Sequence, residues 1–214
     1  MDVDSIESAS VGRIAVVGTG YVGLSTGACF SHLGHTVTCL DVDSEKIRLL
    51  DSGQVPIVES GLPELVKEGI ESGRLSFTTE ARIALSGADV VFLCLPTPQG
   101  EDGSADLSYL MTAVVQIKDL LEPGAVVVNK STVPVGSAQK VSAALGRVDI
   151  AVVSNPEFLR QGTAVHDFLH PSRVVIGGED ESAVKRVARL YAGVDAPVLR
   201  MKTASAEALK YAAN

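Results

Sequence analysis

Arg13-Ile14-Ala15-Val16-Val17-Gly18-Thr19-Gly20-Tyr21-Val22-Gly23 is the stretch that decides the fold. An apolar run enters a turn with glycines at 18, 20 and 23. A helical pattern then continues to Leu33 and stops before Gly34. The segment reads as a buried strand over Arg13–Gly18, a glycine turn and a helix over Tyr21–Leu33. Each glycine has its own task. Gly18 permits the tight turn, Gly20 lets the backbone come close to a pyrophosphate, and Gly23 lets helix and strand pack closely. The free N–H groups at the helix start, around Tyr21 and Val22, suit a diphosphate.

A lone glycine pattern is weak evidence, but here the following strand, Thr36–Asp41, ends in an acid. Asp41 lies 18 residues beyond Gly23. From there a carboxylate accepts hydrogen bonds from the adenosine ribose hydroxyls and repels a 2′-phosphate, which favours NAD over NADP. The bland alternative is a plain βα turn with Asp41 capping the next helix. Lys46 either lies along the ribose or is a solvated helix charge.

Outward from this unit, short β-branched runs alternate with helical patterns. Strands are expected at Leu75–Thr78, Asp89–Leu95, Ala125–Lys130, Ile150–Ser154, Arg173–Gly177 and Val198–Met201. Helices are expected at Ser44–Ser52, Leu62–Ser72, Glu80–Ser86, Leu107–Leu120, Val135–Leu145, Ser182–Ala192 and Thr203–Asn214. Gln54–Gly61 and Thr97–Ala105 read as loops. The alternation predicts an α/β fold, a doubly wound, mostly parallel Rossmann-type sheet with helices on both faces. The expected organisation is a disordered tail over 1–11, a nucleotide-binding domain over 12–200, and the start of a connecting helix over 201–214. That last pattern runs on without a C-cap, so the chain is expected to be part of a longer protein.

Composition fits this picture. The 214 residues are 46% hydrophobic but only 4% aromatic, with no Trp, so the core is aliphatic. The net charge of −8 offers no basic footprint for nucleic acid or an anionic membrane. From Ile14 to Leu40 there is no charged residue, yet glycines and His32 and His35 interrupt the run and an acidic leader precedes it. This excludes a signal peptide or membrane span and points to a cytoplasmic protein. Cys29, Cys39 and Cys94 have no C-x-x-C spacing and are expected as buried thiols. The four histidines show no metal-ligand spacing, and no metal is expected.

Several segments resemble the UDP-glucose/GDP-mannose dehydrogenase family of NAD-dependent enzymes. They are Val17–Leu24, Leu95-Pro96-Thr97-Pro98, Lys130-Ser131-Thr132-Val133-Pro134-Val135-Gly136, Ser154-Asn155-Pro156-Glu157-Phe158-Leu159, Asp167–Gly177 and Ala206–Asn214. The resemblance runs from about residue 12 to 214 in the family's order.

Physical readings stand beside it. Pro96 and Thr97 end a strand at the edge where such sheets bind ligands, either as a rigid turn or in contact with the cofactor. Ser131, Thr132 and Glu157 follow strands and reach the same edge. Thr132 and Glu157 could instead cap and charge a helix start. Lys210 and Asn214, four apart, share one helix face; on the residues alone Lys210 reads as a solvated charge, and the resemblance implies that the two stabilise a developing alkoxide.

The resemblance implies that Pro96, Thr97, Ser131 and Thr132 join the glycine loop in holding NAD. It also implies that Thr132 and Glu157 position the water that hydrolyses a thioester, and that Glu157, Phe158, Leu159, Lys210 and Asn214 meet a nucleotide sugar. The implied reaction converts UDP-glucose, two NAD and water into UDP-glucuronate and two NADH. The alternatives are GDP-mannose or UDP-N-acetylmannosamine as substrate, or a stand-alone NAD-binding regulatory module.

Two departures matter. Gln161 stands where the family often has a second Glu. The family's nucleophilic Cys lies beyond the connecting helix, in a glycine-rich segment before Pro-Lys, and none of the three cysteines here has that context. The 214-residue chain is therefore expected to bind NAD without two-step turnover. The resemblance implies a dimeric parent enzyme.

Overall fold

A computed structural model describes residues 12–100 and 103–213 of the chain, apart from the side chains of Tyr211 and Ala213. The expected tail over 1–11 lies outside the described residues. The elements are β1 (Arg13–Val17), α1 (Tyr21–His32), β2 (Thr36–Leu40), α2 (Ser44–Asp51), α3 (Leu62–Glu71), β3 (Leu75–Thr78), α4 (Ala81–Leu85), β4 (Val90–Leu93), α5 (Ser108–Ile117), β5 (Val126–Asn129), α6 (Ser137–Leu145), β6 (Ala151–Ser154), α7 (Ala164–Leu169), β7 (Val174–Gly177), α8 (Glu181–Leu190), β8 (Val198–Met201) and α9 (Thr203–Ala213).

The strands form one eight-stranded sheet in the order β3-β2-β1-β4-β5-β6-β7-β8. Neighbours among β1 to β6 run parallel. At the far side β7 runs antiparallel to β6 through the single pair Ser154↔Gly177, and β8 runs parallel to β7. The strand order reverses between β1 and β4, which opens a crevice at the carboxyl ends of those strands.

Period-two alternation separates two cores. Ile14, Val16, Val90, Phe92, Val126 and Val128 face α1, α2, α3, α7 and α8, whereas Ala15, Val17, Val91, Leu93 and Val127 face α4, α5 and α6. The charge-free run from Ile14 to Leu40 is explained by α1, which is buried from Gly23 through Ser31. Phe30 on α1 is ringed by His35, Phe92, Phe168 and Tyr191. No helix among the described residues is long and apolar enough to cross a membrane.

Most element boundaries shrink by one to three residues where the chain leaves the ladder for a cap or turn; β3 and β8 keep the expected bounds, and α8 starts one residue early at Glu181. The helix expected from Leu107 spans Ser108–Ile117, and the one expected from Val135 starts at Ser137. The sequence reading missed α7, a six-residue helix, between Leu159 and the expected strand at Arg173. α9 is tied to the sheet's far half. Its buried Glu207 accepts the N–H of Gly136 at 2.7 Å and of Ala138 at 2.8 Å, at the start of α6. Those donors are free at a helix start, and the helix dipole favours an anion there.

Candidate functional site

The glycine turn shapes the cofactor end of the crevice. Gly18 has φ +96°, and a Cβ there would meet the Cys94 carbonyl oxygen at 2.5 Å. A Cβ on Gly23 would meet the Gly18 carbonyl oxygen at 1.8 Å. These two positions are closed to any larger residue by the fold itself. Gly20 differs: its φ is −68°, and a Cβ there would touch nothing within 4 Å. Nothing among the described residues requires glycine at 20. The open space lies above the start of α1, whose first N–H groups have no intrahelical acceptor. That is the cradle a diphosphate needs, so the residues present fit a dinucleotide.

This turn forms one wall of a cavity of about 620 Å³. The cavity gathers Gly18, Gly20, Tyr21, Val22, Asp41 and Lys46 from the first βαβ unit. It also gathers Pro96, Thr97, Ser131, Thr132 and Glu157 from the ends of later strands, together with Lys130. A second cavity of about 570 Å³ lies among α6, α8 and the start of α9, and none of the expected site residues lines it.

Asp41 does not cap a helix. That task falls to Asp43, whose carboxylate accepts the N–H groups of Glu45 and Lys46 at the start of α2. Asp41 Oδ2 accepts from the Thr19 N–H at 2.8 Å, the Thr19 hydroxyl at 2.6 Å and Lys46 Nζ at 2.9 Å, and Oδ1 accepts the Asp43 N–H. Burial works against its charge, but the Thr19 and Lys46 hydrogen bonds outweigh that and bring the carboxyl down to about 2. Lys46 is therefore more than a solvated helix charge, and it lines the cavity. It is paired with Asp41 in the cavity wall.

The loops after β4 and β5 are laced together. The Ser131 hydroxyl accepts the Leu95 N–H at 2.9 Å and donates to the Leu95 carbonyl at 2.8 Å, and the Thr97 hydroxyl donates to the Thr132 carbonyl at 2.7 Å. Ser131 thus braces the rim with its side chain. Thr132 caps no helix, because the residue before α6 is Gly136. The Thr132 hydroxyl has no hydrogen-bond partner among the described residues.

Glu157 lies outside any helix. Its Oε2 accepts the Leu159 N–H at 2.7 Å and its Oε1 accepts from Lys210 Nζ at 2.9 Å; Lys210 also donates to the Glu157 carbonyl. α9 thereby delivers Lys210 to the end of β6. Phe158 sits between two cations, with Lys210 Nζ 5.5 Å and the Arg173 guanidinium 5.0 Å from its ring centre. Gln161 is exposed in the following turn. Asn214 lies outside the described residues.

Sequence reasoning gave no role to several groups. Lys130, in the Lys-Ser-Thr motif, is buried with Nζ 3.2 Å from Asn155 Oδ1 and 3.3 Å from the Tyr191 hydroxyl. Burial lowers its pKa. Asn155 Nδ2 donates to the Val175 carbonyl at 2.8 Å, bridging the thin β6–β7 junction just before Glu157. Glu59, read as part of a plain loop, is buried beneath Tyr21. The signal was in the quoted motifs for Lys130 and Asn155. For Glu59, an acid amid apolar residues ahead of a helix was the only hint.

Cys29, Cys39 and Cys94 are free and buried, as expected. Burial pushes the Cys29 and Cys94 thiols up to about 12, and raises Cys39 as well. No cluster of metal-ligating side chains occurs among the described residues.

Residues 12–195 match the model of the UDP-glucose/GDP-mannose dehydrogenase family, NAD binding domain. The chain is 44% identical over 207 residues to the UDP-glucose 6-dehydrogenase TuaD of Bacillus subtilis, covering 94% of this chain and 45% of that protein. Among solved structures, a UDP-glucose dehydrogenase from Pyrobaculum islandicum superposes with a TM-score of 0.90 at 40% identity, over 96% of this chain and 49% of that one. A ternary complex of GDP-mannose dehydrogenase from Pseudomonas aeruginosa gives 0.89 at 38% identity, over 94% and 49%. The chain thus spans about half the length of the relatives it matches.

Proposed function

The chain belongs to the UDP-glucose/GDP-mannose dehydrogenase family, and we propose that it is the NAD-holding part of a UDP-glucose 6-dehydrogenase. In the full enzyme the C6 alcohol of UDP-glucose is oxidised twice, giving UDP-glucuronate and two NADH with the uptake of water. The observation that carries this reading is that the glycine cradle and Glu157, held by Lys210, line one crevice.

NAD supplies the hydride acceptor when bound. The chain's own groups do the rest. Gly20 and the start of α1 take the diphosphate, and Asp41 meets the ribose end. Thr132 and Glu157 stand at the strand ends, where the sugar's C6 would be presented. Lys210 uses two of its three N–H donors on Glu157, and the third would serve an oxygen that gains negative charge as the alcohol loses its proton. Both Glu157 oxygens are held by the protein, so the carboxylate is fixed in orientation before substrate arrives.

The buried thiols of Cys29, Cys39 and Cys94 lack the exposure and the lowered pKa of a nucleophile. On this reading the 214-residue chain binds NAD but does not complete the two-step oxidation. Steady NADH formation from UDP-glucose by the isolated chain would overturn that. The likeness to a GDP-mannose dehydrogenase supports GDP-mannose as the second reading. A thermal-shift panel with NAD, NADP, UDP-glucose and GDP-mannose separates them: stabilisation by GDP-mannose and not UDP-glucose would reverse the substrate assignment.

A further inference from the structure

Glu59 is only 5% exposed, in the segment before α3. Its Oε1 accepts the Ala164 N–H at 2.8 Å, its Oε2 accepts the Gly162 N–H at 2.8 Å, and the Tyr21 hydroxyl lies 2.9 Å from Oε2. No cation among the described residues forms a salt bridge with it. A buried carboxylate without a counter-charge persists only where hydrogen bonds replace water, so these donors define its place.

Tyr21 opens α1 directly after Gly20 and lines the cofactor cavity. Its hydroxyl contacts two acceptors, Glu59 Oε2 and the Arg160 carbonyl. Burial and then the Glu59 carboxylate push the phenol's pKa up, so it stays protonated. A phenol has a single proton to donate. The contact therefore has two arrangements, one committed to the loop carbonyl and one to Glu59. The loop beyond is cross-braced: Asp167 accepts the Arg160 N–H, the Arg160 guanidinium and the Thr163 hydroxyl. Asp167 thus ties Arg160 to Thr163, in the segment that begins three residues after Glu157.

We propose that Tyr21 and Glu59 transmit dinucleotide binding at the glycine loop to the segment from Glu157 to Ala164, so that cofactor occupancy prepares the sugar-side loop. This rests on reading the glycine loop as the NAD site and that segment as the sugar side. Tyr21 lines the cavity where the cofactor would sit, whereas Glu59 acts through Tyr21 and the loop amides and is a positioning residue.

Hydrogen exchange at the Gly162 and Ala164 amides of the 214-residue chain, with and without saturating NAD, tests the link. Calorimetry establishes NAD binding separately. In the wild-type chain NAD is expected to slow exchange at both amides by about fivefold or more, the usual scale of coupling between sites. In Tyr21→Phe, compared at NAD saturating for that variant, this slowing disappears. A merely structural bond would change exchange by the same factor with and without NAD.

Glu59→Gln places an amide nitrogen against a backbone N–H. Exchange there becomes fast and insensitive to NAD. If that variant does not fold, Tyr21→Phe decides. Slowing that persists in Tyr21→Phe, or is absent from the wild-type chain with NAD bound, overturns the proposal. Failure of the wild-type chain to bind NAD in calorimetry overturns the cofactor reading and the link together.

Discussion

Lys210 and Glu157 stand 53 residues apart in sequence and meet through an ion pair of 2.9 Å, with 7% and 9% of their side chains exposed. Removing one partner of a buried pair leaves an uncompensated charge, which costs about 3–5 kcal/mol. Lys210→Met is therefore expected to lower stability by an amount on that scale in urea titration. The double variant Lys210→Met/Glu157→Gln should recover most of it. A single variant as stable as the wild-type chain would show that the pair does not hold α9 to the end of β6.

Asp41 makes a different prediction, about cofactor choice. Its carboxylate occupies Lys46 and Thr19 and stays charged at any pH well above 2. Asp41→Ser removes the charge that repels a 2′-phosphate and frees Lys46 to attract one. NAD binding should weaken and NADP binding strengthen, shifting the ratio of dissociation constants by about tenfold or more. An unchanged ratio, read by calorimetry with both nucleotides, would refute the role given to Asp41.

His35 predicts a pH effect. It is buried, with Nδ1 accepting the Gly12 N–H and Nε2 donating to the Leu190 carbonyl. Burial lowers its pKa below the ordinary 6.5, so the folded chain refuses a proton that the unfolded chain takes. The stability tied to neutral His35 is complete above that pH. It declines as pH falls through 6.5, with a limiting slope of about 1.4 kcal/mol per pH unit. Melting temperature measured from pH 7.5 down to 5.5 should fall less steeply in His35→Gln than in the wild-type chain. Parallel curves would remove His35 as a cause.

Much of the first βαβ unit was legible in the sequence, because glycine spacing and apolar runs are local signals. Gly18 and Gly23 are required by contacts with Cys94 and Gly18 themselves, and Asp41 closes the strand that pairs with β1. What could not be read is long-range. The antiparallel turn of β7 against β6 depends on one residue pair and on Asn155 reaching Val175. α7 is too short for its apolar spacing to stand out, and amides at its start are satisfied by Glu59, 105 residues away from Ala164. The motif puts Ser131 at the cavity rim, and its hydroxyl is spent on Leu95. Motif membership located it at the right edge without showing what its side chain holds.

If the glycine turn of this chain holds NAD, Gly20 is the position that reports it. A Cβ at Gly20 touches nothing among the described residues, whereas one at Gly23 would collide with the Gly18 carbonyl oxygen. Calorimetric titration of Gly20→Val with NAD is the decisive measurement. The variant is expected to melt within a few degrees of wild type but to bind NAD about a hundredfold more weakly, a loss of about 2.7 kcal/mol. Wild-type affinity for NAD in a folded Gly20→Val chain would contradict it.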